Sequence, residues 1–257
     1  MKKLLKKWSI GLILLLMISL TFSCDKAETN ELPESNENTE KYDYVSAVEQ
    51  AMAEQANEID IDGLPECIAQ YLDSLPFEAL SDAEIATLNF VREEELLAHD
   101  VYIAMYDLYS VPVFNNISKS ESFHSLLVLA LMQKYGLEDI AADHQPGVYV
   151  NEEIQQYYDQ LTENGSVSLD EAIIVGETIE DLDIADLIHH LESDIDNEDI
   201  TFVFEQLYKG SRNHFRAFYA HINFRNLEYS PVFMSQELYD QTVSSEWEIG
   251  SGICNCP

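Results

Sequence analysis

The sequence predicts an all-α protein built on a bundle of four long helices, with a long crossover between the second and the third. Three observations lead there. Apolar residues recur at steps of three and four through four separate long runs, the spacing of one helix face. Two of those runs open on Ser-x-x-Glu, a capping box: Ser81-Asp-Ala-Glu84 and Ser168-Leu-Asp-Glu171. Each run also sets a carboxylate or an imidazole inside its apolar stripe, where a charge without a partner is costly.

The 257 residues allow one large domain with extensions. Thirteen basic residues against 48 acidic ones give a net charge of −35. A phosphate backbone would be repelled, so nucleic acid is excluded as a partner, whereas cations would be concentrated. Residues 1–23 read as a signal peptide. Lys2, Lys3, Lys6 and Lys7 precede the apolar run Trp8–Phe22, which is short for a membrane span. The run ends in T-F-S-C, which resembles a bacterial lipoprotein signal with Cys24 as the lipidated residue. Thr21 stands where Leu is commoner and Phe22 is bulky, and an ordinary secretory signal cut elsewhere is the alternative. Cleavage before Cys24 removes four lysines and no acid, taking −35 to −39. The expectation is an exported protein, periplasmic or on the cell surface, held to the membrane through lipid on Cys24.

Residues 24–44 are polar, acidic and nearly free of aliphatic side chains, the composition of a disordered tether. Residues 45–80 form a helical extension. One short helix is expected over Ser46–Ile59 and another around Ile68, Tyr71 and Leu72, between two prolines.

The bundle spans 81–224. Its first helix opens at Ser81 and turns Leu88, Glu95, Ala98, Tyr102 and Met105 inward, while Glu93 and Glu94 fall to either side as a solvated face. The second helix is expected to open near Asn115 or Asn116. Ile117, Glu121, His124, Val128, Leu131 and Tyr135 share its inner face, and Gly136 caps it. Residues 137–167 are the crossover, with a turn at D-H-Q-P-G, where His144 is a loop residue, and a short helix over Asn151–Leu161.

The third helix presents Ile173, Glu177, Glu180, Ile184 and Leu187. Gly176 would let a neighbour approach closely, and Asp183 and Asp186 drift round toward the surface or stand behind the inner residues. The fourth begins near Asn197 and carries His214 inward, with Arg212 and Arg216 as structural clamps for surplus carboxylates.

Glu95, Glu121, His124, Glu177, Glu180 and His214 thus meet on buried stripes. Four buried glutamates repel one another unless protons or cations intervene. Carboxylates with imidazole inside a helix bundle are the donor set of a dinuclear iron or manganese site, and the lack of cysteine among them argues against a thiolate zinc site. A polar core without metal is the alternative.

F-V-R-E-E-E-L-L-A-H-D-V-Y, F-N-N-I-S-K-S-E-S-F-H, V-G-E-T-I-E-D-L-D-I-A-D-L and K-G-S-R-N-H-F-R-A-F resemble the ferritin-like domain of unknown function 2202 (DUF2202), over about Leu80 to Phe224. Glu95, Ala98 and Tyr102 resemble the first ligand motif of rubrerythrins, and Glu177 with Glu180 their third. The resemblance implies a ferritin-like bundle and no established reaction. One departure stands out. The fourth helix offers Ser211-Arg-Asn-His214 where ferritin-like di-iron proteins usually show E-x-x-H, so either Glu180 substitutes or only one metal binds tightly.

The expected function is oxidation of ferrous iron, or reduction of oxygen or peroxide, at two irons or manganese ions. The alternative is a non-enzymatic metal-binding or interaction module of the cell envelope. Tyr102 is a core residue, a donor behind a ligand or a redox-active phenol. In the tail, 225–257, a helix is expected over Ser235–Val243. Cys67 either pairs with Cys254 or Cys256 or stays a free thiol.

Overall fold

The computed structural model describes residues 41, 45–50, 53 and 64–248. The signal peptide, most of the tether with Cys24, and Cys254 and Cys256 lie outside the described residues, as does most of the expected helix at Ser46–Ile59, of which 45–50 and 53 are helical. Among the described residues the protein is all-α, and no helix is long and apolar enough to cross a membrane. Seven further helices follow: α1 Glu66–Ser74, α2 Asp82–Tyr109, α3 Pro112–Lys134, α4 Glu152–Gly165, α5 Leu169–Ser193, α6 Glu198–Arg225 and α7 Gln236–Ser244.

The helix ends show how local chemistry sets the boundaries. Ser81 caps α2 with a complete capping box: its hydroxyl accepts from the Glu84 amide, and Glu84 accepts from the Ser81 amide at 2.8 Å. At Ser168 only half of the expected box forms, the hydroxyl accepting from the Glu171 amide at 3.2 Å. The second long helix opens at Pro112, earlier than the asparagines suggested. Ser110 ends α2 in the left-handed region at φ 56°, and Pro112 starts α3 at once, since the first helical position needs no N–H. Gly136, at φ 67°, closes α3 as expected, its amide donating to Gln133. The crossover helix runs beyond Leu161 to Gly165, and Asn151 caps its start.

The four long helices pack so that each runs antiparallel to both neighbours. Along α2 and α3, Arg92 meets Ser125 at one end and Tyr102 packs on Phe114 toward the other. Along α5 and α6, Phe218 lies over Gly176, where a Cβ would collide with its ring, and Ser211 meets Asp183. Thr87 faces His190 while Tyr102 faces Gly176, pairing α2 with α5. Ser120 faces His214 while Tyr135 faces Asp199, pairing α3 with α6. The connection from α3 to α5 lies against α2, through Asp139 to Arg92, His144 to Asp100 and Tyr109 to the Gly165 carbonyl.

That cover explains a correction. Glu93 is buried, because the crossover lies on its face of α2, and it accepts the Val150 and Asn151 amides at 2.6 and 2.8 Å just before α4. His144 sits in its loop as expected, with Nε2 2.9 Å from Asp100. Among the described residues a small apolar cluster of Ile184, Phe215, Met234 and Tyr239 joins the C-terminal segment to the long helices, and two larger ones fill the interior. One surrounds Tyr102, Phe114, Ile117 and Phe218, and the other surrounds Leu88, Leu131, Phe204 and Leu207; a polar layer on the four long helices separates them.

The C-terminal segment is fastened by polar groups. Arg212 and Arg216 both hold Glu248, at 2.6 and 3.0 Å, so the two arginines act as clamps on the tail. Buried Asp181 accepts the Tyr229 hydroxyl and the backbone amides of Val232, Phe233 and Met234. Cys67 is held in a disulfide, so it is not the free thiol that the sequence left open.

These fastenings differ in weight. Removing a cap leaves amides that water can reach, so Ser81→Ala should cost about 1 kcal/mol. Asp181→Ala strands several donors at once, and even with partial rehydration it should cost at least about 2 kcal/mol. Urea unfolding of the two variants beside the wild type measures both; equal losses would show that Asp181 does not anchor the segment.

Candidate metal centre

The polar layer is built from one position on each of α2, α5 and α6 and two on α3. Leu88, Val91, Glu95 and Ala98 share the inner side of α2, so the spacing that buries Leu and Val also buries Glu95. The same holds for Glu121 and His124 on α3, Glu180 on α5 and His214 on α6, all buried. Two groups of potential metal donors result: Glu95, Glu121 and His124, and Glu121, Glu180 and His214, with the donor atoms of each group within 4.8 Å of one another.

Glu121 belongs to both groups, with one oxygen for each. Its Oε2 lies 2.8 Å from His124 Nδ1, and its Oε1 lies 2.8 Å from His214 Nδ1. Glu95 Oε2 lies 3.3 Å from His124 Nδ1, and Glu180 Oε2 lies 3.5 Å from His214 Nδ1. The two rings stack with centroids 5.4 Å apart. Although close, Glu121 Oε2, Glu180 Oε2 and His214 Nδ1 make no aligned hydrogen bond, and neither does Glu95 Oε1.

Neighbours orient these groups. His214 Nε2 is 2.9 Å from Ser120 Oγ; with Nε2–H donating to Ser120, Nδ1 faces the carboxylates, as an N–H of the imidazolium without metal or as a lone pair toward a cation. The His124 ring lies against Gly210, where a Cβ would stand 2.5 Å from Nε2, so only glycine admits the ring. The Tyr102 hydroxyl donates to Glu180 while its ring packs between Phe114 and Phe218; this tyrosine is both a core residue and a donor behind the site.

The electrostatics follow from burial and proximity. Burial raises Glu95 to about 8, against the pull of His124. Glu180 rises to about 7 through burial and the Glu121 charge. Burial works against the Glu121 carboxylate too, but His214 and His124 together hold it well below the usual range. His124 stays protonated well above its ordinary value, and His214 up to about 10: burial opposes their charge, but the adjacent carboxylates outweigh it. Without metal, protons thus supply the positive charge that the carboxylates need.

Five of the six residues singled out from the sequence converge here. Glu177 is buried, but it stands outside both donor groups, one turn away on α5, and no donor reaches its oxygens. Burial, with Glu180 and Asp181 nearby, pushes its carboxyl well up.

Two carboxylates outside the six, Glu94 expected on a solvated face and Asp183 expected at the surface or behind the inner residues, are buried. Glu94, read as part of a solvated face, has no donor at either oxygen and faces Asp186 and Asp183. Asp183 accepts the Ser211 hydroxyl through Oδ2, and its Oδ1 has no partner. Both line a small cavity together with Glu95, Glu121 and Glu180. The signal for Asp183 was its place three residues after Glu180; a small residue at 211, beside a second one at 210, marked the space it fills.

The donor chemistry fits a hard or borderline cation: carboxylate oxygens and imidazole nitrogens, two groups sharing one carboxylate, and several donor atoms without another partner. The model of the uncharacterized protein domain (DUF2202) matches residues 84–246. The uncharacterized protein MJ0754 of Methanocaldococcus jannaschii is 42% identical over 181 residues, which is 70% of this chain and 97% of that protein. The crystal structure of the hypothetical protein MJ0754 from the same organism superposes with a TM-score of 0.66 at 43% identity, covering 68% of this chain and 99% of that one. With more than half its length matched by the family model, and a relative matched over nearly its whole length, this chain belongs to the DUF2202 family.

Proposed function

We propose that this protein is a ferritin-like four-helix protein that binds two iron ions, with manganese as the alternative metal, and oxidises ferrous iron or reduces oxygen or peroxide at that centre. Glu121 carries the proposal: one buried carboxylate offers one oxygen to each of two histidine–glutamate groups, as a carboxylate bridging two cations does. The order of the four helices, each antiparallel to both neighbours across a long crossover, supports the ferritin-like assignment.

Bound iron would supply the one-electron steps, and the chain supplies the rest. His124 and Glu95 would hold one ion, His214 and Glu180 the other, with Glu121 between them. The apolar clusters on either side keep bulk water out. In the metal-free chain Glu180, raised to about 7 and hydrogen-bonded by Tyr102, would hold a proton near neutral pH and release it on taking up a cation.

We further propose that the protein is exported and anchored by lipid on Cys24. The disulfide at Cys67 supports the export, since such bonds persist in oxidising compartments. Cys24→Ser should shift the protein from the membrane to the soluble fraction; a variant still sedimenting with membranes would remove the anchor.

Anaerobic ferrous iron should load at two ions per chain, and admitting air should consume oxygen and oxidise the iron. His124→Ala and His214→Ala should each lower the stoichiometry from about two to about one, and Glu121→Ala should abolish tight binding, because it serves both ions. Retained metal without oxygen consumption would identify a non-enzymatic metal-binding protein. No uptake at all would sink the metal centre.

The metal-free protein should lose stability as pH rises. Glu180 and Glu95 bind protons more tightly folded than unfolded, with folded values of about 7 and about 8, and His214 does so up to about 10. Their contribution is complete below the unfolded values and is lost as pH climbs through the folded ones. Glu121, shifted the other way, stays ionised and constant across this window. From about pH 6 to about pH 9 the metal-free melting temperature should fall by roughly 5 °C, and saturating manganese should remove the fall. A flat metal-free profile would show that these groups are not coupled to folding.

A further inference from the structure

We propose that Asp183 is a sixth metal ligand, a second carboxylate between the two ions, held by Ser211 in the space that a glutamate at 211 would otherwise fill. The inference rests on the dinuclear centre proposed above.

Asp183 lies three residues after Glu180 on α5 and is buried, with 7% exposure. It lines the same small cavity as Glu95, Glu121 and Glu180, and so faces a donor of each group and the carboxylate they share. Its two oxygens are used unequally. Oδ2 takes the Ser211 hydroxyl, and Oδ1 has no partner among the described residues.

Ser211 is fixed in turn. It is fully buried one turn before His214 on α6, and its hydroxyl also reaches the Leu207 carbonyl at 2.8 Å. A residue three positions before a ligand on the same helix face points at the same cavity. Serine is too short to reach a metal from there, but its hydroxyl grips a carboxylate that enters from α5.

Charge balance points the same way. Glu95, Glu121 and Glu180 bring three negative charges against four positive charges of two divalent ions, leaving a buried excess of one. Buried charge is tolerated when it is matched, and Asp183 supplies the fourth negative charge. The other carboxylates nearby fit less well. Asp183 and Glu177 both lie outside the two donor groups, but Asp183 lines the cavity and Glu177 does not; Glu94 lines it too, but it lies alongside Asp186.

The test is equilibrium binding of manganese to the full chain. The wild type should bind two ions. Asp183→Asn keeps the size of the side chain and a carbonyl oxygen for the Ser211 hydroxyl but removes the charge, and it should weaken the second ion at least about 100-fold. Adding Ser211→Glu to Asp183→Ala should return two-ion binding to within about tenfold of wild type, because the carboxylate then arrives from α6 instead.

Melting without metal separates lost binding from lost folding. Asp183→Asn keeps the acceptor for Ser211, so its metal-free melting temperature should not fall below that of the wild type while its metal binding does. Two tightly bound ions in Asp183→Asn, or no recovery in the Ser211→Glu/Asp183→Ala chain, would overturn the assignment. Failure of the wild type itself to bind manganese or iron would instead remove the dinuclear centre on which it rests.

Discussion

The mutual repulsion of buried carboxylates that each keep an oxygen no donor reaches is the constraint on which the interior of this protein turns. Glu95, Glu121, Glu180 and Asp183 line one small cavity between two apolar clusters, where the dielectric is low and water cannot screen them. Such a layer persists only if positive charge is supplied, by protons or by cations. The two histidines supply part of it. Each meets one oxygen of Glu121, which alone among these acids is held below its ordinary range, while its neighbours are driven up. One carboxylate ionised between two imidazolium rings is the protonated counterpart of one carboxylate bridging two metals.

Not every buried acid belongs to that layer, and what separates them is where their oxygens go. Glu84 accepts the Ser81 and Asn197 amides, Glu93 the Val150 and Asn151 amides, and Asp181 three amides beyond α6. Asp100 joins His144, Gly147 and Tyr149, and Asp199 holds Tyr135 and Lys134. These acids fasten helix starts and loops, and their burial is offset by the donors they satisfy. Glu94, Glu95, Glu121, Glu177, Glu180 and Asp183 each keep at least one oxygen without a donor. The acidity of the chain therefore has two uses in the interior, fastening and charge storage.

The contrast explains what could be read in advance. Helical periodicity placed Glu95, Glu121, His124, Glu180 and His214 on buried stripes, because a stripe is a local property and the apolar residues around each of them advertise it. Boundaries were legible at Ser81, where a hydroxyl caps the helix, and at Gly136, where the chain needs a positive φ, and less so at Pro112, where two helices meet across a short link that carries no polar cap. Glu93 and Glu94 were misplaced for a non-local reason: the outer face of α2 is covered by the crossover, and nothing within α2 announces what will lie on it. Asp183 sits at the edge of its stripe, so periodicity alone left it outside.

The fourth long helix completes the account by what it lacks. Gly210 and Ser211 are adjacent small residues in the middle of α6, and a helix interior disfavours glycine by roughly 1 kcal/mol against alanine. Each concession admits a group from another helix: the His124 ring from α3 rests on Gly210, and the Asp183 carboxylate from α5 rests on Ser211. His214, one turn on, is then the only side chain α6 contributes to the donor groups. A glutamate at 211 would bring its own charge into a space that Asp183 already occupies. In the centre proposed above, serine at 211 and Asp183 form one pair, the hydroxyl of α6 meeting the carboxylate of α5.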